Sequence, residues 1–596
     1  MPKKTKKVKD SYYKFDDARK VKDSLVIKKL SVYLKPYVLK LVLVITEVLI
    51  SSFMMSYISK LFGDVIDKLG VEGTVLNDIL IYCYIIGGFL IVSEVLNYIK
   101  GIALNKIGQR ILFDMRNDLF THIENLSLKE LDKIPVGTFV TRVCNDTNAI
   151  SDLFTNVLVN LISQFATLIY AVFLMFFASW KLSLIVFAIL PILLAATFIF
   201  RYMSRTQFRK ITYDRSRVNA FLSENLSGMK ITQIFNREEA KMVEFDELSN
   251  RLKKSRAGST YIFAVFRPFI YVLYFASVIL TFYYGSQFVM AGLMTTGTLY
   301  AFYLYCMNYF NPIQNIAQQY NTMQSAFASA EKIFTIQDIT SSITFIDAPV
   351  KADGFKGEIE FKDVWFKYDE EWIIKGVSFH VMPGETVSFV GPTGAGKTTI
   401  LSLIERYYDV QKGEILIDGV DVKDYDIHSL RSNIGEMLQD VFLFTGTIRD
   451  NITLKDENIP LEEIVEASKY VNADSFIDLL PQKYDEVVKE RGNNYSQGQR
   501  QLLSFARTIV HKPKMIILDE ATSNIDTETE VLIQDSLKKI QSIGTTIMVA
   551  HRLSTIQHSD IIMFIDGGKV IESGSHTELL KLKGRYYNLY QLQYDK

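Results

Sequence analysis

The sequence predicts a multidomain protein in which an all-α domain of six transmembrane helices is followed by an α/β domain built around a phosphate-binding loop. Three observations predict this arrangement. The chain of 596 residues is too long for one compact core. Long apolar runs recur through the first half and then stop. From Gly357 onward, short β-rich runs alternate with helix-like stretches, which is typical of an α/β domain.

The first half contains six apolar runs of roughly 20 residues, enough at helical rise to cross a hydrocarbon layer of about 30 Å. A large soluble protein with buried helices is the alternative, but soluble cores rarely need several uncharged stretches of this length. The predicted segments are 38–58, 79–99, 157–179, 182–200, 261–290 and 292–316.

The charge pattern predicts the orientation of these helices. Short loops join the segments in pairs, whereas the long connections after the second and fourth segments are rich in lysine and arginine. By the positive-inside rule the long connections are cytoplasmic, and an even number of crossings places both termini there as well. We also expect segments two to five to continue into the cytoplasm as helical stalks, because the flanking sequence contains little Gly or Pro. The basic N-terminus lacks the layout of a cleaved signal peptide.

Composition argues against several other classes. The net charge is zero, so no basic surface points to nucleic acid. The three cysteines, Cys83, Cys144 and Cys306, lie too far apart for a disulfide framework or a zinc site. Histidines show no metal-binding spacing, so we expect no dedicated protein metal site.

A phosphate-binding loop follows the second β-rich run of the second half. Its pattern is G-x-x-x-x-G-K-[ST], in which glycines let backbone amides wrap phosphates. The lysine reaches the β and γ oxygens and the following hydroxyl can ligate magnesium. The residues are Gly391, Pro392, Thr393, Gly394, Ala395, Gly396, Lys397, Thr398 and Thr399.

The stretch 515–523, MIILDEATS, is predicted to be an apolar strand that ends in two carboxylates, Asp519 and Glu520. This order suits Asp519 as a magnesium partner and Glu520 as the group that polarises an attacking water. A buried strand with a solvated acidic end is the alternative when the run is considered without the phosphate loop.

These motifs and their order resemble those of ATP-binding cassette (ABC) transporters, and the whole chain resembles an exporter half-transporter of that family. The resemblance implies MgATP as cofactor, with Thr398, Gln439 and Asp519 at the metal. It further implies that Tyr368 stacks on adenine and that Gln439 senses magnesium. Residues Ser496, Gln497, Gly498 and Gln499 would cap ATP bound by the opposite cassette. Glu520 would be catalytic, and His551 would contact the γ-phosphate. Ser523–Asp526 matches a further motif.

The chain departs from the family's usual signature, Leu-Ser-Gly-Gly-Gln, at two positions. Tyr495 replaces the leucine and Gln497 replaces the first glycine. A glycine there permits close backbone approach to the triphosphate. The side chain of Gln497 therefore predicts that the ATP site which this chain completes for its partner is weak. We therefore favour pairing with a different half-transporter over a homodimer, by analogy with asymmetric exporters.

Two features of the first half carry separate hypotheses. The cytoplasmic stretches 115–126 and 219–235 are expected to dock into a cassette groove through apolar residues such as Phe120 and Phe221. Glu47, Glu94 and Arg267 lie within membrane segments, where a structural salt bridge is favoured over binding of a cationic substrate.

The expected domains are a transmembrane domain over 1–335 with an N-terminal elbow, a linker over 336–356, and a nucleotide-binding domain over 357–596. The expected function is ATP-driven efflux of drugs or lipids across a bacterial plasma membrane, with membrane lipid and a small hydrophobic substrate as partners and no nucleic acid. Alternatives are a nucleotide-gated regulator or channel, an exporter of peptides, and an importer.

Overall fold

The computed structural model describes residues 23–71, 76–343, 346, 348–519, 527–549 and 556–594. The chain divides into two compact units. One comprises residues 1–124 and 136–338, and the other comprises residues 125–135 and 339–596.

The first unit is entirely helical within the described residues, and its longest helices exceed what a bilayer requires. At 1.5 Å per residue, a helix of 53 residues is about 80 Å long. The predicted helical continuation beyond the apolar segments is therefore confirmed. The principal helices are α1 Asp23–Leu34, α2 Val38–Leu69, α3 Leu76–Glu124, α5 Val136–Thr141, α6 Thr147–Asp152, α7 Leu158–Ala178, α8 Trp180–Phe187, α9 Leu190–Ser227, α10 Met229–Ile234, α11 Glu238–Met290 and α12 Thr296–Gln337; α4 belongs to the second unit.

Five helical stretches in the described part of the chain are long and apolar enough to cross a membrane: 24–69, 76–124, 136–178, 180–227 and 238–290. They contain the first five predicted segments, except that Ser179 at the end of the third lies just outside. The sixth predicted segment lies mostly in α12, which begins at Thr296 because the Thr295 side chain accepts a hydrogen bond from the Thr298 amide and caps the helix.

The charged residues of the membrane segments do not form the expected salt bridge. Arg267 lies with its guanidinium 5.9 Å from the centre of the Phe263 ring, a cation–π contact. In the part of the chain that the structure describes, no ion pair joins it to Glu47 or Glu94, and Oε1 of Glu47 is buried without a hydrogen-bond partner. The expected salt bridge is therefore wrong among the described residues, where the guanidinium of Arg267 lies beside the Phe263 ring.

The second unit includes an insertion from the first half of the chain. Residues 125–135 carry the short helix α4, Leu128–Lys133, and cluster with the α/β unit. Leu128 packs against the core of that unit, and Leu126 and Ile134 are buried. Phe120, one of the two residues predicted to dock, lies on α3 and is 54 % exposed. The residues that cluster with the α/β unit therefore begin at the last two positions of the predicted stretch 115–126 and continue into α4.

Two sheets form the framework of the α/β unit. A six-stranded sheet of order β12-β11-β3-β10-β9-β6 is parallel except for β12, and a four-stranded antiparallel sheet has the order β2-β1-β4-β5. The strands are β1 Ile359–Phe366, β2 Ile374–Val381, β3 Thr386–Val390, β4 Lys412–Ile417, β5 Val420–Asp421, β6 Ile434–Met437, β7 Gly446–Thr447, β8 Val487–Val488, β9 Met515–Asp519, β10 Thr545–Val549, β11 Ile561–Asp566 and β12 Lys569–Gly574.

Helices cover the six-stranded sheet. Every residue of β3 and β10 is buried, as expected for central parallel strands with both faces covered. The carboxyl ends of β3, β9 and β10 meet at one edge, where ligands bind in open α/β sheets. The helices are α13 Lys397–Ile404, α14 Ile427–Ser432, α15 Ile448–Thr453, α16 Leu461–Tyr470, α17 Asp474–Ile477, α18 Gln497–Val510, α19 Thr527–Gln541, α20 His576–Leu582 and α21 Arg585–Tyr594.

Candidate functional site

The glycine-rich loop connects β3 to α13, the strand-to-helix context that the motif requires. Gly391 has no room for a side chain, because a Cβ there would lie 2.0 Å from the Ile565 carbonyl oxygen. Gly396 has φ +103°, a left-handed conformation that favours glycine, and a Cβ there would lie 2.7 Å from Cδ1 of Ile374. The loop can therefore pass close to its neighbours and present backbone amides at the start of α13.

A cavity of about 450 Å³ opens above this loop. Nine of its eleven lining residues are ones that the sequence singled out, drawn from four separate parts of the chain. The other two, Ile373 and Val549, were missed; Val549 ends β10 beside Asp519, and the parallel pairing of these strands is the signal that could have found it. The predicted residues that line the cavity are Tyr368, Thr393, Gly394, Gly396, Lys397, Thr398, Thr399, Gln439 and Asp519.

Lys397 is buried, and its ammonium group is held by the loop itself. Nζ donates to the carbonyl oxygens of Gly391 at 2.8 Å and Pro392 at 3.0 Å. This folded-back arrangement keeps a positive charge inside the phosphate loop, where it can meet an anion. Ala395, the remaining loop residue, is 5 % exposed and packs into the core.

Three oxygen-bearing side chains converge on the same cavity. Thr398 lies in the first turn of α13, Asp519 ends β9, and Gln439 follows β6, which pairs with β9. Hydroxyl, carboxylate and amide oxygens are hard donors of the kind Mg²⁺ prefers. The donor set therefore fits a magnesium ion bound together with phosphate.

A buried acidic pair stands behind Asp519, and the sequence did not indicate it. Glu405 is 4 % exposed, and its burial, with the charge of Glu436 as the next cause, raises its pKa well above the ordinary carboxyl range. Burial also raises the pKa of Glu436, whose Oε2 accepts a hydrogen bond from the Tyr407 hydroxyl at 2.9 Å. The pair therefore holds a proton more readily than free carboxyls would, which reduces the negative charge beside Asp519.

Tyr368 lies between β1 and β2 at the side of the cavity. Its hydroxyl donates to Oγ1 of Thr399 at 3.2 Å, and its ring meets the edges of Phe366 and Tyr408 at centroid distances of 4.9 Å and 5.1 Å. The side chain is 37 % exposed, so a ring surface remains accessible for stacking.

The signature residues 495–499 do not line the cavity. Ser496 caps α18 in a capping box: its hydroxyl accepts from the Gln499 amide at 3.2 Å, and Gln499 Oε1 accepts from the Ser496 amide at 3.0 Å. Gln497 is the first helical residue and is partly exposed, whereas Gly498 is buried. Within one chain these residues form a helix terminus that does not belong to the lining of the phosphate-loop cavity.

Tyr495 has a structural explanation. It is 7 % exposed, belongs to the core beneath α18, and packs its ring against Phe476 at 6.2 Å. A buried apolar position accepts an aromatic ring as readily as a leucine if the neighbours leave room.

The two predicted catalytic residues, Glu520 and His551, lie outside the described residues, as does Ser523–Asp526. Glu520 directly follows Asp519 in the sequence, and His551 comes two residues after Val549, so both follow strand ends that line the cavity.

Comparison with known proteins gives matches over both halves. The family model described as the ABC transporter transmembrane region matches residues 41–313, and the model described as ABC transporter matches residues 374–523. A putative ABC transporter ATP-binding protein, exp8, of Streptococcus pneumoniae is 38% identical over 95% of this chain and 97% of its own length.

Two further relatives carry more specific names. A probable multidrug resistance ABC transporter ATP-binding/permease protein, YheH, of Bacillus subtilis is 37% identical over 86% of this chain and 77% of its own. An ATP-dependent lipid A-core flippase of Syntrophus aciditrophicus is 34% identical over 84% of this chain and 83% of its own.

Proposed function

The chain belongs to the ABC transporter family, and from that premise we propose that it is one subunit of a dimeric exporter that uses MgATP to move drugs or lipids out across the plasma membrane. The observation that carries the proposal is the cavity in which Tyr368, Lys397 and Asp519 converge, in the same polypeptide as the membrane-length helices. The named relatives support drugs and lipids as the substrate class.

The mechanism follows from the positions of these side chains. Lys397 and the loop amides would hold the β- and γ-phosphates, and Thr398, Gln439 and Asp519 would hold magnesium, which neutralises charge that develops on the γ-phosphate. Tyr368 would stack on the adenine ring. Glu520 would orient the attacking water and His551 would donate a hydrogen bond to the γ-phosphate.

Dimerisation is supported by two parts of the chain, the signature residues and α10. The signature residues Ser496 and Gly498 stand apart from the cavity, so they can serve a phosphate bound by a second cassette. On α10, within the predicted docking stretch 219–235, Met229, Ile231 and Ile234 are between 38 % and 64 % exposed, an apolar surface expected to be covered by another chain.

We propose a different half-transporter as that second chain. The reason is Gln497, whose side chain stands at the first position of α18 where close approach to a triphosphate favours glycine. A homodimer is the alternative outcome. The basic cytoplasmic connections and the bacterial relatives support a bacterial plasma membrane with the cassette and both termini inside.

The test is ATP hydrolysis by the chain purified alone in lipid, wild type beside Glu520→Gln, with particle mass measured on the same sample. Feeble hydrolysis by an unpaired chain supports the mixed dimer. A dimer of this chain alone with brisk Glu520-dependent hydrolysis contradicts it and indicates a homodimeric pump. Rapid hydrolysis that survives Glu520→Gln contradicts the proposed catalytic role.

A further inference from the structure

Tyr408 stands at the centre of a contact chain that begins at the cavity. Its ring meets the Tyr368 ring at a centroid distance of 5.1 Å and an interplanar angle of 84°, and it lies 5.5 Å from the ring of Phe366. The side chain is 8 % exposed, so these edge contacts are shielded from water. A displacement of the Tyr368 ring would therefore displace the Tyr408 ring, which is packed against it.

The other end of Tyr408 is bound to α4. Its hydroxyl donates to Oδ2 of Asp132 at 3.2 Å. Burial, with Asp132 as the next cause, raises the pKa of Tyr408, so the hydroxyl remains a donor at neutral pH. A hydrogen bond from a shielded hydroxyl to a carboxylate is stronger than a neutral one.

Helix α4 is attached firmly enough to receive such a displacement. Leu128 packs against the cassette core, and the hydroxyls of Ser127 and Ser342 lie 2.9 Å apart. The Ser342 amide also donates to Oε2 of Glu130 at 3.4 Å. The helix is thus anchored at its first turn, while Asp132 near its end is the group that Tyr408 holds.

We propose that Tyr408 is a positioning residue that transmits occupancy of the adenine position from Tyr368 to α4 through Asp132. Tyr368 is held at its far end by Thr399 of the phosphate loop, so base and phosphate binding act on the same side chain. The inference rests on the proposed ATP site and adds a route by which the base, and not only the phosphates, is sensed by the segment 125–135.

The experiment measures amide hydrogen exchange of residues 125–135 in the full-length protein in lipid nanodiscs. The ligands are Mg²⁺ with a non-hydrolysable ATP analogue or with inorganic tripolyphosphate, which lacks the base. In the wild type we expect the analogue to slow exchange by about threefold to tenfold and tripolyphosphate to have less than half of that effect. Binding of the analogue is measured on the same preparations.

Tyr408→Phe keeps the ring and removes only the hydroxyl. We expect it to lose most of the analogue-induced protection of 125–135 while its affinity for the analogue changes by less than about threefold. The matched control is Tyr425→Phe, which removes another buried hydroxyl that donates to the Ile417 carbonyl at 3.0 Å, and it should keep the protection. Asp132→Ala should match Tyr408→Phe, and the double variant should add nothing further.

Full protection in Tyr408→Phe overturns the proposal, as does equal protection of the wild type by tripolyphosphate. Loss of protection in both Tyr408→Phe and Tyr425→Phe also overturns it, because general loosening of the cassette would then be the cause. If the wild type binds no ATP analogue, the proposed function fails as well, and this outcome is recognised from the binding measurement alone.

Discussion

Tyr495 can be tested by a graded series, because the structure assigns it to packing although it belongs to the signature motif. It is buried in the core beneath α18, and its hydroxyl makes a long contact of 3.5 Å with the Val487 carbonyl and also interacts with the side chain of Asn494. Tyr495→Phe should therefore lower the free energy of unfolding by about 1 kcal/mol or less. Tyr495→Leu should cost about 1–3 kcal/mol through altered shape, and Tyr495→Ala about 3–5 kcal/mol through the cavity it leaves.

The assay is thermal unfolding of the cassette in the full-length protein, without nucleotide, beside ATP hydrolysis at a temperature where all variants are folded. At about 2–4 °C per kcal/mol for a domain of this size, Tyr495→Ala should lower Tm by roughly 10 °C. Phe476→Leu, which trims the same contact from the opposite side, is the matched control and should resemble Tyr495→Leu.

ATP hydrolysis by Tyr495→Phe and Tyr495→Leu should stay within about twofold of the wild type, because the side chain points into the core and not toward a nucleotide. If Tyr495→Leu lost most of its hydrolysis with Tm unchanged, the reasoning would be refuted, and Tyr495 would belong to the machinery of the composite site.

Three further predictions concern the site. Lys397→Met should reduce ATP hydrolysis by more than about 100-fold, because it removes the positive charge at the transferring phosphate. Lys412 is an exposed lysine outside the cavity, so Lys412→Met should leave the rate unchanged. Equal rates in both variants would contradict the role of Lys397. Gln497→Gly should raise hydrolysis by up to about tenfold if the side chain holds cassettes apart, and an unchanged rate would remove the reason for preferring a mixed dimer. Because burial raises the pKa of Glu405, its contribution to stability is complete below the ordinary carboxyl pKa and is lost as pH rises toward the raised value. Glu405→Gln should therefore flatten the decline of Tm as pH rises above the ordinary carboxyl pKa, and a slope identical to the wild type over that rise would show that Glu405 does not titrate there.

Local patterns identified much of the architecture. A membrane helix is recognisable from about 20 apolar residues because the bilayer imposes a length, so the first five segments were found and the sixth lies mostly in α12. The phosphate loop was recognisable because positions 391 and 396 have no room for a side chain other than that of glycine. These two positions and Lys397 lie in one short loop, so their spacing is visible in the sequence. Asp519 was recognisable because it ends an apolar strand.

Contacts between distant parts of the chain were not encoded in any local pattern. One of the two docking stretches was expected at 115–126, but only its last two residues cluster with the cassette and the rest of the contact comes from α4 at Leu128–Lys133, since an amphipathic stretch does not say which of its turns will meet a groove. A salt bridge at Arg267 was expected from charge alone, but the ring of Phe263 lies beside it. Glu405 and Glu436 are 31 positions apart, and nothing in either neighbourhood predicts that they share one buried site.

The sequence by itself therefore determined the membrane segments, the order of the two domains and nine of the residues around the cavity, because each depends on residues close together in the chain. The tertiary structure alone decided which segment packs against the cassette, that Tyr495 serves the core, and that Tyr408 joins Tyr368 to Asp132. These depend on strand order and side-chain packing between segments far apart in sequence, and only the folded chain brings those segments within a few ångströms of one another.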